Sequence, residues 1–250
     1  MVTVGQILDF LCDIAPLQTA MNFDNCGLLV GGGGATVRKA VLALDITDEV
    51  VDYAHNIGAE LIISHHPVIF NPIKALNSND VPYLLARYNI SAVCMHTNLD
   101  GADKYGVNVC LANACGLQNV MLDKENLIAY GDIDSITPHN FAHKVKTALA
   151  CEGVRFTNST RNITKVAVSS GAGGCNIFNA YQNNVTAFVT GEIKHHELLF
   201  AVQNDICVVD VGHFKSEAVV LPTIKELLTQ KFVNVEFVIN NGKNDNIRYL

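Results

Sequence analysis

The chain reads as an α/β protein built from two similar halves. Three features of its 250 residues point there. Short β-rich apolar runs alternate with helical patterns. The runs are apolar almost throughout, as strands are when helices cover both faces of a sheet. The alternation then passes through a second cycle of similar outline. The expected architecture is therefore a pair of similar domains, each a mixed sheet flanked by helices.

In chain order, MVTVGQILDFLCDI is an amphipathic helix. It lacks a basic leader region and carries two aspartates, so it is not read as a signal peptide. KAVLALDIT is a strand and DEVVDYAHNIGA a helix. ELIISHHP is a strand ending in two histidines, VPYLLARYN a helix, and SAVCMHTNLD a strand ending at His96, with HTNLD itself a loop. YGVNVCLANACGL is a helix with a glycine stop. LQNVMLDKENL, residues 117–127, is expected to be the boundary. The first domain is set at 1–122, with the C-terminal strand in 233–250 available to complete it, and the second at 123–232. In that second cycle TPHNFAHKVKTALAC is a helix, ITKVAVSSGAGG a strand entering a glycine loop, NIFNAYQNN a helix and VTAFVTGEI a strand. KHHELLFAVQND is a helix, ICVVDVGH a strand, FKSEAVVLPTIKELLTQKF one long helix, and VNVEFVIN a closing strand. KAVLALD loosely matches KVAVSSG, and ELIISHHP matches AFVTGEI in position, as a duplicated unit would.

Composition narrows the classes. Apolar residues make up 49% and charged ones 16%, which suits a large buried core and not a disordered chain. The net charge of −7, without long runs of either sign, disfavours a broad basic surface for nucleic acid. None of the eight cysteines forms a C-x-x-C pair, so zinc-ribbon and thioredoxin-like readings fall away. Reduced, mostly buried thiols of a cytoplasmic protein are expected. No apolar run reaches the roughly 18 residues of a membrane span.

Reactive groups in open α/β sheets gather outside the carboxyl ends of strands. Here four such ends carry His65 and His66, His96, Glu192, and His213. His213 precedes Glu217 by four residues, the spacing that shares one helix face, and His96 precedes Asp100 likewise. Adjacent His65 and His66, stopped by Pro67, could serve two ions side by side. Imidazoles with carboxylates suit Zn, Fe, Mn, Co or Ni, and a ligand set this sparse leaves room for water, the mark of a catalytic site. Two neighbouring ions would activate that water as a nucleophile. His55, His139 and His143 read as structural. His195 and His196 open a helix, where they either reach substrate or face solvent. VGGGG at 30–34 lacks the Walker lysine and reads as a turn. SSGAGG at 169–174 lies between strand and helix and is a candidate phosphate cradle. Asp24 and Asn25 either support the site or form a plain turn.

The ordered set DNCGLLVG, SHHPVIF, HTNLD, GEIKHHE and GHFKSE resembles the YbgI-like, or NIF-three, family of GTP cyclohydrolase I type 2 homologues. The likeness spans about residues 4–250, and the length matches the short form without an inserted domain. The resemblance implies two interlinked similar α/β domains with a dinuclear metal site between them, and a toroidal homohexamer. It places the ligands of two divalent ions on His65, His66, Asp100, His213 and Glu217, with Glu217 bridging. His96 becomes a catalytic proton shuttle. Phe23 stands where the family usually has tryptophan, and the acidic residue often found near Met21 is absent.

The implied reaction is GTP cyclohydrolase I type 2-like. Activated water attacks C8 of the guanine, the ring opens, formate leaves, and rearrangement gives dihydroneopterin triphosphate. Lys194, His195, His196 and the 171–174 loop are the candidates for holding the triphosphate. Two rivals use the same residues: a metal-dependent phosphoesterase, and a non-enzymatic ring-shaped metal-binding protein associated with DNA repair, for which DNA would be a partner.

Overall fold

The computed structural model describes residues 1–242. These divide into two compact units: Met1–Leu99 with the return segment from Leu221, and Asp100–Val220. The C-terminal end of the sequence-expected range 233–250, residues 243–250, lies outside the described residues.

The first unit contains β1 (Val2–Thr3), α1 (Val4–Ile14), β2 (Gly27–Val30), β3 (Thr36–Val37), β4 (Lys39–Ala43), α2 (Asp48–Asn56), β5 (Leu61–Ser64), α3 (Val81–Arg87) and β6 (Ser91–Cys94). The one-turn helix α4 (Thr97–Asp100) ends the passage. In the second come α5 (Val107–Ala114), β7 (Gln118–Asp123), β8 (Ile128–Ile136), α6 (Pro138–Ala148), β9 (Arg155–Phe156), β10 (Ile163–Ser169), α7 (Ile177–Gln182), β11 (Ala187–Thr190), α8 (His195–Gln203), β12 (Cys207–Asp210) and α9 (His213–Ala218). Helix α10 (Leu221–Lys231) and β13 (Glu236–Ile239) return to the first unit.

In the first unit the sheet order is β13-β4-β5-β6-β2, parallel except for β2 at the edge. Val41, Ala43, Ile62 and Ala92 turn one face towards Val50, Val51 and Ala54 of α2 and Leu85 of α3. Helix α1 starts at a capping box, in which Thr3 and Gln6 exchange side-chain to backbone hydrogen bonds. The glycine run at 30–34 closes on that helix start, Gly5 N–H donating to the Gly33 carbonyl at 2.8 Å. It is a turn, as its sequence suggests.

In the second unit the order is β7-β8-β10-β11-β12-β9, with β10, β11 and β12 parallel. Alternation along these strands feeds two cores. Val166, Val168, Ala187, Val189 and Val209 meet Leu111 of α5 and Phe141 and Val145 of α6. Ala167, Phe188 and Val208 meet Ile177 and Ala180 of α7 and Ala201 of α8. Each unit thus holds a mixed sheet with a parallel β-α-β-α-β trio.

Three local expectations change. Residues 117–127, expected to hold the boundary, form β7 and the turn into β8, antiparallel at the sheet edge within the second unit. Half of β7 faces solvent, so its sequence lacks the apolar run of a central strand. The long helix after His213 is two helices, because Pro222, without an N–H, cannot continue the ladder of α9. HTNLD is not a loop but ends in the turn of α4, held by Leu99 N–H on the His96 carbonyl at 2.8 Å.

Candidate metal centre

Parallel register builds the site of the first unit. Ala43 pairs with Ser64, and Ser64 with Cys94. Two residues beyond each strand end, the same step reaches Asp45, His66 and His96. The three imidazoles of His65, His66 and His96 gather there, with ring centroids 5.0–5.4 Å apart. One ligand atom from each lies within 4.8 Å of the others.

Every one of these rings is held at Nδ1 by an oxygen. His65 Nδ1 contacts the Met95 carbonyl at 3.0 Å, His66 Nδ1 the Asp45 carboxylate at 2.7 Å, and His96 Nδ1 the Asp24 carboxylate at 2.9 Å. Nε2 is then the nitrogen turned to the common centre, the arrangement by which a metal-binding imidazole is oriented. Asp24 is itself fixed by Thr97, whose N–H and hydroxyl donate to it at 3.0 and 2.6 Å. Burial opposes its ionisation, but the hydrogen bonds from Thr97 and His96 outweigh it and hold the carboxyl well below the usual carboxylate range. Burial, and then the neighbouring His65, lowers the pKa of His96 against the pull of Asp24, favouring a neutral ring.

The second unit repeats the device. Ser169 pairs with Thr190 and Thr190 with Asp210, so Gly171, Glu192 and Gly212 stand at one level and His213 one step beyond. Gly212 takes φ +83° and turns the chain from strand to helix. His213 Nδ1 meets the Glu192 carboxylate at 2.7 Å, and its Nε2 meets Glu217 Oε2 at 3.0 Å, across one turn of α9. Glu217 is buried, with only 4% of its surface exposed. A Cβ on Gly171 would stand 2.1 Å from Glu217 Oε1, so only glycine leaves the carboxylate its place. Asp100 is also buried, and its carbonyl accepts from Asn108 Nδ2 at 3.3 Å.

The residues fit divalent cations: imidazoles each held at Nδ1 by an oxygen, and the buried carboxylates of Asp100 and Glu217, the latter packed on Gly171. Of the residues singled out by sequence, the structure gathers His65, His66 and His96 in one unit and His213 with Glu217 in the other. The glycine loop at 169–174 does not present its first amides to a phosphate. Ser170 N–H donates to Asn108 Oδ1 at 2.8 Å and Gly171 N–H to Ser216 Oγ at 2.8 Å. His195 and His196 lie exposed at the start of α8. His55 stacks on Tyr88 at 4.0 Å. Asp45 and Asn108 escaped the sequence reading. Asp45 was detectable, since parallel register with β5 sets it level with His66, whereas Asn108, in the first turn of α5, carries no local signal.

The sequence matches the model of the Duf34/NIF3 (NGG1p interacting factor 3) family over residues 2–246. It is 30% identical over 254 residues to a Helicobacter pylori protein named GTP cyclohydrolase 1 type 2, covering 98% of each chain. A Staphylococcus aureus protein named GTP cyclohydrolase 1 type 2 homolog is 26% identical over 366 aligned residues, covering 99% of this chain and 100% of the relative, which carries sequence that this shorter chain lacks. Among solved structures, a Staphylococcus aureus hypothetical protein superposes with a TM-score of 0.91 at 28% identity, covering 100% of this chain and 99% of the other.

Proposed function

This chain belongs to the Duf34/NIF3 family, and from that premise we propose that it is a dinuclear metal-dependent hydrolase acting on a nucleotide. The reaction proposed is that named for its relatives, opening of GTP to dihydroneopterin triphosphate and formate. One observation carries the reading. His65, His66, His96 and His213 all have Nδ1 held by an oxygen, in three cases that of a carboxylate, which sets all four rings in the same sense. A histidine that merely fills a core needs no such uniform orientation.

His65, His66, Asp100, His213 and Glu217 would hold the ions. When bound, such cations supply Lewis acidity and ease deprotonation of a water. Asp45, Glu192 and the Met95 carbonyl keep the imidazoles in one tautomer. Asp24 fixes His96, whose neutral ring accepts a proton at Nε2 and returns it to the departing group. A homohexamer in the cytoplasm is the assembly that family likeness supports.

Metal-loaded protein incubated with GTP should release formate and a fluorescent pterin. Hydrolysis of nitrophenyl phosphate without pterin would favour the phosphoesterase. Absence of both, with salt-dependent binding of single-stranded DNA, would favour the non-enzymatic reading. Replacing Glu217 by Gln should empty both metal positions, and two ions retained per chain would contradict the assignment. His96→Ala should abolish turnover with metal content intact. Equal loss of metal would make His96 a ligand.

A further inference from the structure

Two thiols lie under the histidine cluster of the first unit and take no part in the chemistry above. Cys94 ends β6 and is fully buried, and its Sγ donates to the His65 carbonyl at 3.0 Å. Cys26 immediately precedes β2 and is only partly buried, with Sγ donating to Asp24 Oδ2 at 3.3 Å. Gly27 is the antiparallel partner of Cys94, so the two cysteine backbones stand one residue off register. That is about the separation a disulfide spans. Because Cys26 lies outside the paired strand, the alternation of side chains does not force the sulfurs to opposite faces.

We propose that Cys26 and Cys94 form a reversible oxidation site, closing to a disulfide when the protein meets hydrogen peroxide. The accessible partner reacts first. The Cys26 sulfur attacks peroxide, the O–O bond breaks, and a sulfenic acid and one water result. The Cys94 sulfur then attacks the Cys26 sulfur, the S–O bond breaks, and a second water leaves with the two thiol protons accounted for. Two sulfurs lose one electron each, and peroxide takes both. The bridge ties β2 to β6 and removes the two S–H donors now on Asp24 and the His65 carbonyl, the groups that hold His96 and the His65 strand end. Cys175, exposed in the second unit, has no such partner thiol among the described contacts and serves as the internal control.

The test is brief exposure of the full chain to hydrogen peroxide, alkylation of remaining thiols, and peptide mapping. The expected product is a linked pair of peptides carrying residues 26 and 94, lighter by two hydrogens and restored to free thiols by dithiothreitol. Cys26→Ser and Cys94→Ser should each abolish it while keeping the thermal transition of the parent. If either variant fails to fold, time-resolved mapping of the parent still decides. Free alkylation of both residues after Cys175 has been oxidised would overturn the proposal, as would Cys26 proceeding to sulfinic acid with Cys94 still a thiol.

Discussion

The decisive contacts at the residue scale are those behind the imidazoles. Asp45 on His66 and Glu192 on His213 touch Nδ1 and so fix the orientation of each ring, with the opposite nitrogen of His213 meeting Glu217. Removing such a partner typically costs 10–100-fold in metal affinity. Asp45→Asn should therefore weaken zinc or manganese binding by about that factor in a calorimetric titration, with little change in the melting temperature of metal-free protein. Unchanged affinity would mean that the His66 ring is oriented by packing alone. Gly171→Ala is a harsher probe. Its methyl group would collide with the Glu217 carboxylate, so metal affinity should fall although no ligand has been replaced. Asp45 was missed in the sequence because a lone aspartate after a strand resembles any helix-entry residue. Glu217 was legible because its spacing from His213 fits one helix turn.

Strand starts and helix ends matter at the scale of elements. Glu60, just before β5, accepts hydrogen bonds from the N–H groups of Arg38 and Lys39 at 3.0 Å each, and from Arg38 Nε at 3.1 Å. It clamps the first residues of β4 to β5. Partial burial opposes its ionisation, but these donors prevail and its pKa lies below the ordinary value. A lowered folded-state pKa gives stability that is present above the unfolded value and lost as pH falls through the folded one. Glu60→Gln should thus lower the melting temperature near pH 7, and the difference should shrink below roughly pH 4. Glu60 is only part-buried and its partner Arg38 is mostly exposed, so solvent screening limits the effect to on the order of 1 kcal/mol. A difference that persists unchanged at acid pH would assign the effect to shape instead of charge. The break between α9 and α10 belongs to this scale too. Helical periodicity alone runs through 213–231, and Pro222 is the feature that outweighs it.

On the scale of the whole molecule, metal binding and folding are linked. A ligand that binds only the folded chain adds stability of about 2.7 kcal/mol at a free concentration of 100 Kd. For a chain of this size that raises the melting temperature by roughly 5–10 °C. Protein treated with a chelator should melt lower by that amount and recover on adding zinc or manganese. His213→Ala should remove most of the response. A melting temperature indifferent to chelation and to added metal would leave the cluster without a cation to hold.

The sequence by itself determined the class of fold, the strands that end in histidines and carboxylates, and most of the candidate ligands that the structure gathers, because apolar runs, strand ends and i, i+4 spacing are all written locally. HHP, HTNLD and GHFKSE carry their residue types wherever they fold. Tertiary structure alone decided which oxygen stands behind each imidazole, that Gly171 makes room for Glu217, that HTNLD closes into a helical turn on Asp24, and that residues 117–127 pair as a sheet edge. Those outcomes depend on register between strands distant in sequence. Hydrogen bonds such as Asp24 to His96, 72 residues apart, leave no periodicity in either segment from which they could be read.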